Sequence, residues 1–240
     1  MKQVFISGSI SIKTLPKAVL KSIDNIQKQK FEILVGDAKG IDLMVQQKLM
    51  DEHYYNVLVC SIYDKPRNLL LTNFKTCQVE CDESLKSERK RQTYKDSYMT
   101  RNSDYSFVIW DGKSKGSFAN ILRSIEQNQA VKVYLNSESR FLDKEEITEQ
   151  KIEEIYKANN GYTSTEILKL LNNENIASSI RSVKEFKNFL LQYHFVNKKG
   201  DQLIPNENYL DYFVMENYRG KINMRFKSKI INLIEKSSLF

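Results

Sequence analysis

The sequence predicts an α/β protein whose larger part is a doubly wound parallel sheet and whose smaller, later part is mainly helical. Three observations carry this. Short β-branched or aromatic runs alternate with helical segments as far as Leu135. The runs are continuously apolar, as strands covered on both faces must be. Beyond Leu135 the strand rhythm fades and helical spacing takes over.

The elements follow in order. Val4-Phe5-Ile6 reads as a strand, and Leu15 to Lys28 as a helix with Pro16 near its start. Glu32 to Val35 is the second strand, Ile41 to Glu52 the second helix, and Asn56 to Cys60 the third strand. Residues 62–92 carry no clear pattern and read as an excursion over the ligand edge of the sheet. Tyr105 to Trp110 is the fourth strand, Ser117 to Gln127 a helix, and Val131 to Leu135 the fifth strand. Asn136 to Ser139 is a polar break, followed by a charged helical stretch from Lys144 to Lys157. From Thr163 the order is helix, short helix, longer helix, then a turn. Thr163 and Glu166 stand at capping-box spacing ahead of Ile167, Leu168, Leu170 and Leu171. Ser182 precedes Val183, Phe186, Phe189 and Leu190 on one helical face. Phe195 to Ile204 reads as a hairpin turning at Gly200. Helices followed by a basic hairpin suggest a winged helix-turn-helix, and the domains fall at residues 1–140 and 141–240.

Composition narrows the function classes. The chain of 240 residues is 41% hydrophobic, enough to build a core, so disorder is excluded. No run reaches the roughly 18–20 apolar residues of a membrane span, and the N-terminal apolar stretch stops at Gly8, unlike a signal peptide. Three cysteines (Cys60, Cys77, Cys81) fit a reducing, cytoplasmic setting rather than a disulfide scaffold. With only His53 and His194, no metal site is expected. The formal charge is +7. Residues 1–150 carry 23 basic and 20 acidic side chains, whereas residues 151–240 carry 14 and 10 in a shorter stretch. Arg219, Lys221, Arg225, Lys227 and Lys229 cluster near the C-terminus with no acid among them. Such clustering serves nucleic-acid phosphates or simply solvates a face.

Three loops at strand ends carry the candidate chemistry. Ser7-Gly8-Ser9 follows the first strand, where glycine permits close backbone approach to an anionic oxygen. Gly36-Asp37-Ala38-Lys39-Gly40-Ile41-Asp42 leads into the second helix, whose N-terminus favours an anion. There Lys39 reaches toward a phosphate, Asp37 toward a ribose hydroxyl, and Asp42 occupies a capping position. Asp111-Gly112-Lys113-Ser114-Lys115-Gly116-Ser117 is a phosphate cradle at another helix start, without Walker A spacing. All three lie where a parallel sheet presents its ligands.

The same residues carry a family resemblance. Val35 to Asp42 resembles the Ser-Gly-x-Ala-x-Gly-Ile-Asp motif of the DNA-processing protein A family. Lys95-Asp96-Ser97-Tyr98-Met99, then Asp104, then Gly112 to Ser117, resembles the motif series of the "lonely guy" phosphoribohydrolases. Both belong to the SLOG superfamily of Rossmann-like nucleotide-binding proteins, and the likeness covers about residues 3–135. It implies a nucleotide or nucleotide-derived ligand, no required cofactor, and a homo-oligomer. Lys95 stands for the family's catalytic arginine and Asn120 for its glutamate. An amide cannot exchange protons as a carboxylate does, so Asp37, Asp96 and Asp111 are the remaining candidate catalytic carboxylates. Residues 163–209 are similar to the C-terminal domain of phage antirepressors. That likeness puts Arg181, Lys184 and Lys187 around a recognition helix and Lys198 and Lys199 on a wing.

These readings lead to a ligand-binding sensor or regulator whose basic residues 151–240 engage DNA or a protein. The alternatives are a nucleotide N-glycosidase or deoxyribosyl transferase, and a single-stranded-DNA-binding protein using Tyr94, Tyr98 and Tyr105 for stacking.

Overall fold

The computed structural model describes residues 1–173, 176, 180–218 and 221–238. The chain divides into two compact units, Met1–Glu153 and Glu154–Phe240.

The first unit is built on seven strands, β1 (Gln3–Gly8), β2 (Glu32–Val35), β3 (Val57–Ser61), β4 (Lys75–Gln78), β5 (Tyr105–Trp110), β6 (Ala130–Leu135) and β7 (Arg140–Phe141). Their spatial order is β4-β3-β2-β1-β5-β6-β7, and every pairing is parallel except β6 with β7. Four helices connect them: α1 (Lys17–Lys28), α2 (Ile41–Asp51), α3 (Glu88–Arg101) and α4 (Lys115–Glu126). Alternate residues of the central strands face opposite layers. Val4, Ile6, Ile33, Val35, Val57 and Val59 meet Val19 and Ile23 of α1 and Val45 and Leu49 of α2. Phe5, Leu34 and Cys60 meet Met99 of α3 on the other side, where α3 packs against α4. Both faces are therefore covered, which is why the strands read as unbroken apolar runs. The result is an α/β fold with a mostly parallel sheet flanked by helices, consistent with a Rossmann-like domain.

Several elements differ from expectation. The excursion at 62–92 contains the edge strand β4, whose Lys75, Thr76 and Gln78 are exposed and give no apolar signal. It also holds the start of α3, whose buried positions include Lys95 and Thr100 as well as Met99. The helix expected from Lys144 begins instead as a 3-10 turn, Lys144–Glu146, held by a capping box between Asp143 and Glu146. The α-helix proper, α5, spans Glu149–Asn160.

In the second unit, α6 (Ser164–Asn173) starts at the expected box, with Glu166 N–H donating to Thr163 Oγ1 at 3.3 Å and Thr163 N–H to Glu166 Oε2 at 2.7 Å. The short helix expected next falls largely on residues outside those described. Ser182 caps α7 (Val183–Gln192) by accepting from Glu185 N–H at 3.2 Å. The hairpin β8 (Val196–Lys199) and β9 (Gln202–Pro205) turns at Gly200, which has φ 59°. A second hairpin, β10 (Phe213–Tyr218) with β11 (Lys221–Phe226), and a helix α8 (Ile230–Ser238) complete the unit. Two hairpins make it α+β rather than mainly helical. Its core gathers Ile167, Leu171, Phe186, Leu190, Phe195, Phe213, Phe226, Ile230 and Ile234.

Candidate functional site

β1 ends at Gly8 in the middle of the sheet, where the strand order reverses between β2 on one side and β5 on the other. In open α/β sheets ligands bind outside the carboxyl ends of the strands at such a switch point. A cleft of about 260 Å³ lies there, lined by Ser7, Gly8 and Ile10, by Ala38 and Asp42 at the start of α2, and by Arg67. Gln92, Lys95, Asp96 and Met99 of α3 and Ser114, Gly116, Ser117 and Asn120 around the start of α4 complete its wall.

Asp37 lies behind this cleft. Fully buried, it accepts from Ser61 Oγ at 2.8 Å, from Arg67 N–H at 3.0 Å, and from Arg67 Nη2 and Nε at 2.8 and 3.2 Å. Lys95 Nζ stands 3.5 Å away. Burial alone would raise the Asp37 pKa, but the Arg67 bonds, Lys95 and Ser61 outweigh it and hold the carboxyl down to about 2. Asp37, expected to hold a ribose hydroxyl, instead has its carboxylate engaged by Ser61 and Arg67 and is not part of the cleft lining. Asp111 is likewise structural. Its carboxylate accepts from the N–H groups of Lys113 and Ser114 at 2.9 and 2.7 Å and from Ser11 Oγ at 2.5 Å, which ties the loop.

Asp42 and Asp96 do face the cleft. Asp42 is buried, with Oδ2 accepting from Ala38 N–H at 3.2 Å. Burial pushes its carboxyl up to about 7, opposed by Lys95 and reinforced by Asp96. Asp96 is also raised by burial, against the pull of Lys95, 3.7 Å away, and of Arg123. Gly36 makes this cluster fit, since a Cβ there would meet Asp42 Oδ2 at 2.3 Å and Lys95 Nζ at 3.0 Å. Asn120 donates to Ser7 Oγ at 3.1 Å and accepts from Arg123 Nη1 at 2.5 Å. Gln92 Nε2 is buried and has no hydrogen-bond partner among the described residues. A buried donor of that kind is costly unless something fills the site.

No known family model matches the chain, and no curated protein sequence matches it either.

Of the residues singled out in the sequence, the structure brings Gly8, Lys95, Asp96, Ser114, Gly116 and Ser117 together on the cleft. Ser9 sits beneath them, accepting from Asp111 N–H at 3.1 Å and bonding to Ser117 Oγ at 3.2 Å. Gly40 shapes the α2 start with φ 82°. Lys39, Gly112 and Lys113 do not line the cleft, and Lys39 and Lys113 are exposed. Arg67, Gln92 and the cleft role of Asp42 escaped sequence reasoning. Arg67 and Gln92 lie in the stretch without pattern, and Asp42 looked like a helix cap. Among the described residues no group of three or more His, Cys, Asp or Glu could hold a metal ion, and no helix is long and apolar enough to cross a membrane.

In the second unit Arg181, Lys184 and Lys187 are exposed at the start and along one side of α7, and Lys198 and Lys199 are exposed on β8. The C-terminal cluster is less free than its sequence suggests, because Asp211 pairs with Lys229 at 2.6 Å and Lys227 at 3.5 Å. Arg219 lies outside the described residues.

Proposed function

We propose that the switch-point cleft binds a nucleotide or nucleotide-derived ligand and that the basic second unit engages DNA or a protein partner, making the chain a sensor or regulator. The observation that carries this is the cleft itself. It lies between the starts of α2 and α4, with serine hydroxyls, amides and a Gln92 Nε2 unpartnered among the described residues on its wall. The ordered motifs support reading the first unit as SLOG-like, with the homo-oligomer that likeness implies. The exposed cations of α7 and β8 support a winged-helix-like role for the second. A ligand that favours one arrangement of the protein over another would supply the coupling. A thermal-shift panel of nucleoside mono-, di- and triphosphates and cyclic nucleotides tests the first half. A ligand that binds only the folded state raises Tm, and a flat response to the whole panel would remove the nucleotide reading.

A second reading, cleavage of an N-glycosidic bond, is favoured by one observation. Asp42 and Asp96 share the cleft, burial raising both carboxyls and bringing Asp42 to about 7, as a proton donor to a leaving base requires. Asp42 takes over the proton-transfer role that Asn120 cannot perform. Chromatography of nucleotide incubations should then show free base with wild type and none with Asp42→Asn, while Asp42→Asn still binds. Base release that persists in Asp42→Asn would reject this assignment.

A further inference from the structure

A second, larger cavity of about 580 Å³ opens between α3 and α4 and shares Asp96 and Gly116 with the switch-point cleft. Arg89, Lys90 and Tyr94 line it from α3, and Lys115 and Arg123 line it from α4. The helical spacing explains the division of labour. Arg89, Lys90, Thr93, Tyr94 and Ser97 form one side of α3, while Gln92, Lys95 and Met99 face the cleft.

The two cavities differ in charge. In the cleft both cations are committed, Arg67 to Asp37 at 2.8 Å and Lys95 between Asp37 and Asp96. In the outer groove Arg89, Lys90 and Lys115 make no ion pair among the described residues. Asp96 is the sole acid on its lining. Unneutralised cations converging on a concavity attract anions far more strongly than paired ones. Tyr94, 36% exposed, adds a ring on which a base can stack. The groove is also far larger than a single phosphate needs.

Building on the nucleotide reading of the cleft, we propose that this groove is a second anion subsite for the same ligand. The ligand is then a dinucleotide, with one nucleotide in the cleft, its phosphate at the α4 start, and the second phosphate and base on Arg89, Lys90 and Tyr94.

Calorimetry on the full chain with AMP, the linear dinucleotide pApA and a ten-residue oligoadenylate tests this. The expected result is pApA binding at least tenfold tighter than AMP. Arg89→Ala combined with Lys90→Ala should bring pApA down to the AMP level and leave AMP itself unchanged. Equal affinity for AMP and pApA, or equal weakening of both by the double variant, would overturn the second subsite while leaving the cleft reading intact. A decamer binding a further tenfold tighter than pApA would assign the groove to a polynucleotide strand and overturn the dinucleotide proposal. Absence of heat from every nucleotide would overturn the cleft reading and this one together.

Discussion

Asp37 and Asp42 sit five positions apart around the same turn, yet their surroundings drive them in opposite directions. Asp37 gains more from Arg67, Ser61 and Lys95 than it loses by burial, so its carboxylate is ionised in the fold down to about pH 2. Its stabilisation is complete above the unfolded carboxylate range near 4 and is lost as pH falls through about 2. Asp37→Asn leaves Arg67 and Lys95 without their shared partner and should cost about 3 kcal/mol in urea unfolding at pH 7. Asp42 runs the other way. Below about pH 4 it is protonated both folded and unfolded. As pH rises toward 7 the unfolded chain ionises first, and stability falls until the folded carboxyl also ionises at about 7. At about 1.4 kcal/mol for each tenfold change in proton affinity, Asp42→Asn should be more stable than wild type by a few kcal/mol at pH 8 and nearly equal to it at pH 4. A constant difference across that range in paired urea melts would contradict the environment described for Asp42.

At the scale of elements, two glycines make opposite predictions. Gly40 holds φ 82° at the start of α2, and a Cβ there would meet the Ile10 backbone at 2.6 Å, so Gly40→Ala should lose more than about 1 kcal/mol. Gly116 lies in the first turn of α4 with nothing within 4 Å of an added Cβ, so Gly116→Ala should melt at or slightly above wild type. Thermal melts of the two variants check both, and a drop for Gly116→Ala would remove the open space assigned to it. The contrast also explains what the sequence made legible. The central strands announced themselves because both faces are buried, as Phe5 and Ile6 or Leu34 and Val35 show. α3 did not, because the side it turns to the cleft carries Gln92, Lys95 and Asp96 instead of an apolar stripe. β4 is a polar edge. β11 alternates Lys221, Asn223 and Arg225 with Ile222, Met224 and Phe226, a strand signature overshadowed by its cations. The loops flanking the cleft were visible as glycine-rich turns. That Asp37 closes on Arg67 while Asp42 faces the cleft depends on contacts between segments far apart in sequence, which no local pattern records.

The whole molecule pairs a near-neutral cleft with cationic surfaces, so the net +7 is not one property. In the second unit Lys184, Lys187, Lys198 and Lys199 are exposed, and the proposed role has them meet a duplex. If they do, fluorescence anisotropy should show binding that weakens steeply with salt. Lys184→Ala with Lys187→Ala should flatten the slope of log K against log salt by about 0.9 for each phosphate contact removed. A slope unchanged in the double variant would move the partner of this unit from DNA to protein. The central claim, that the switch-point cleft is a nucleotide site, is tested most directly by calorimetry of the best-binding nucleotide against wild type and Gly116→Glu. That substitution sets a carboxylate at the shared mouth of the cleft and the groove, where nothing obstructs its backbone position. The account predicts measurable binding to wild type and at least a tenfold loss in the variant, with Tm little changed. Equal affinity in both proteins would place the nucleotide elsewhere and contradict it.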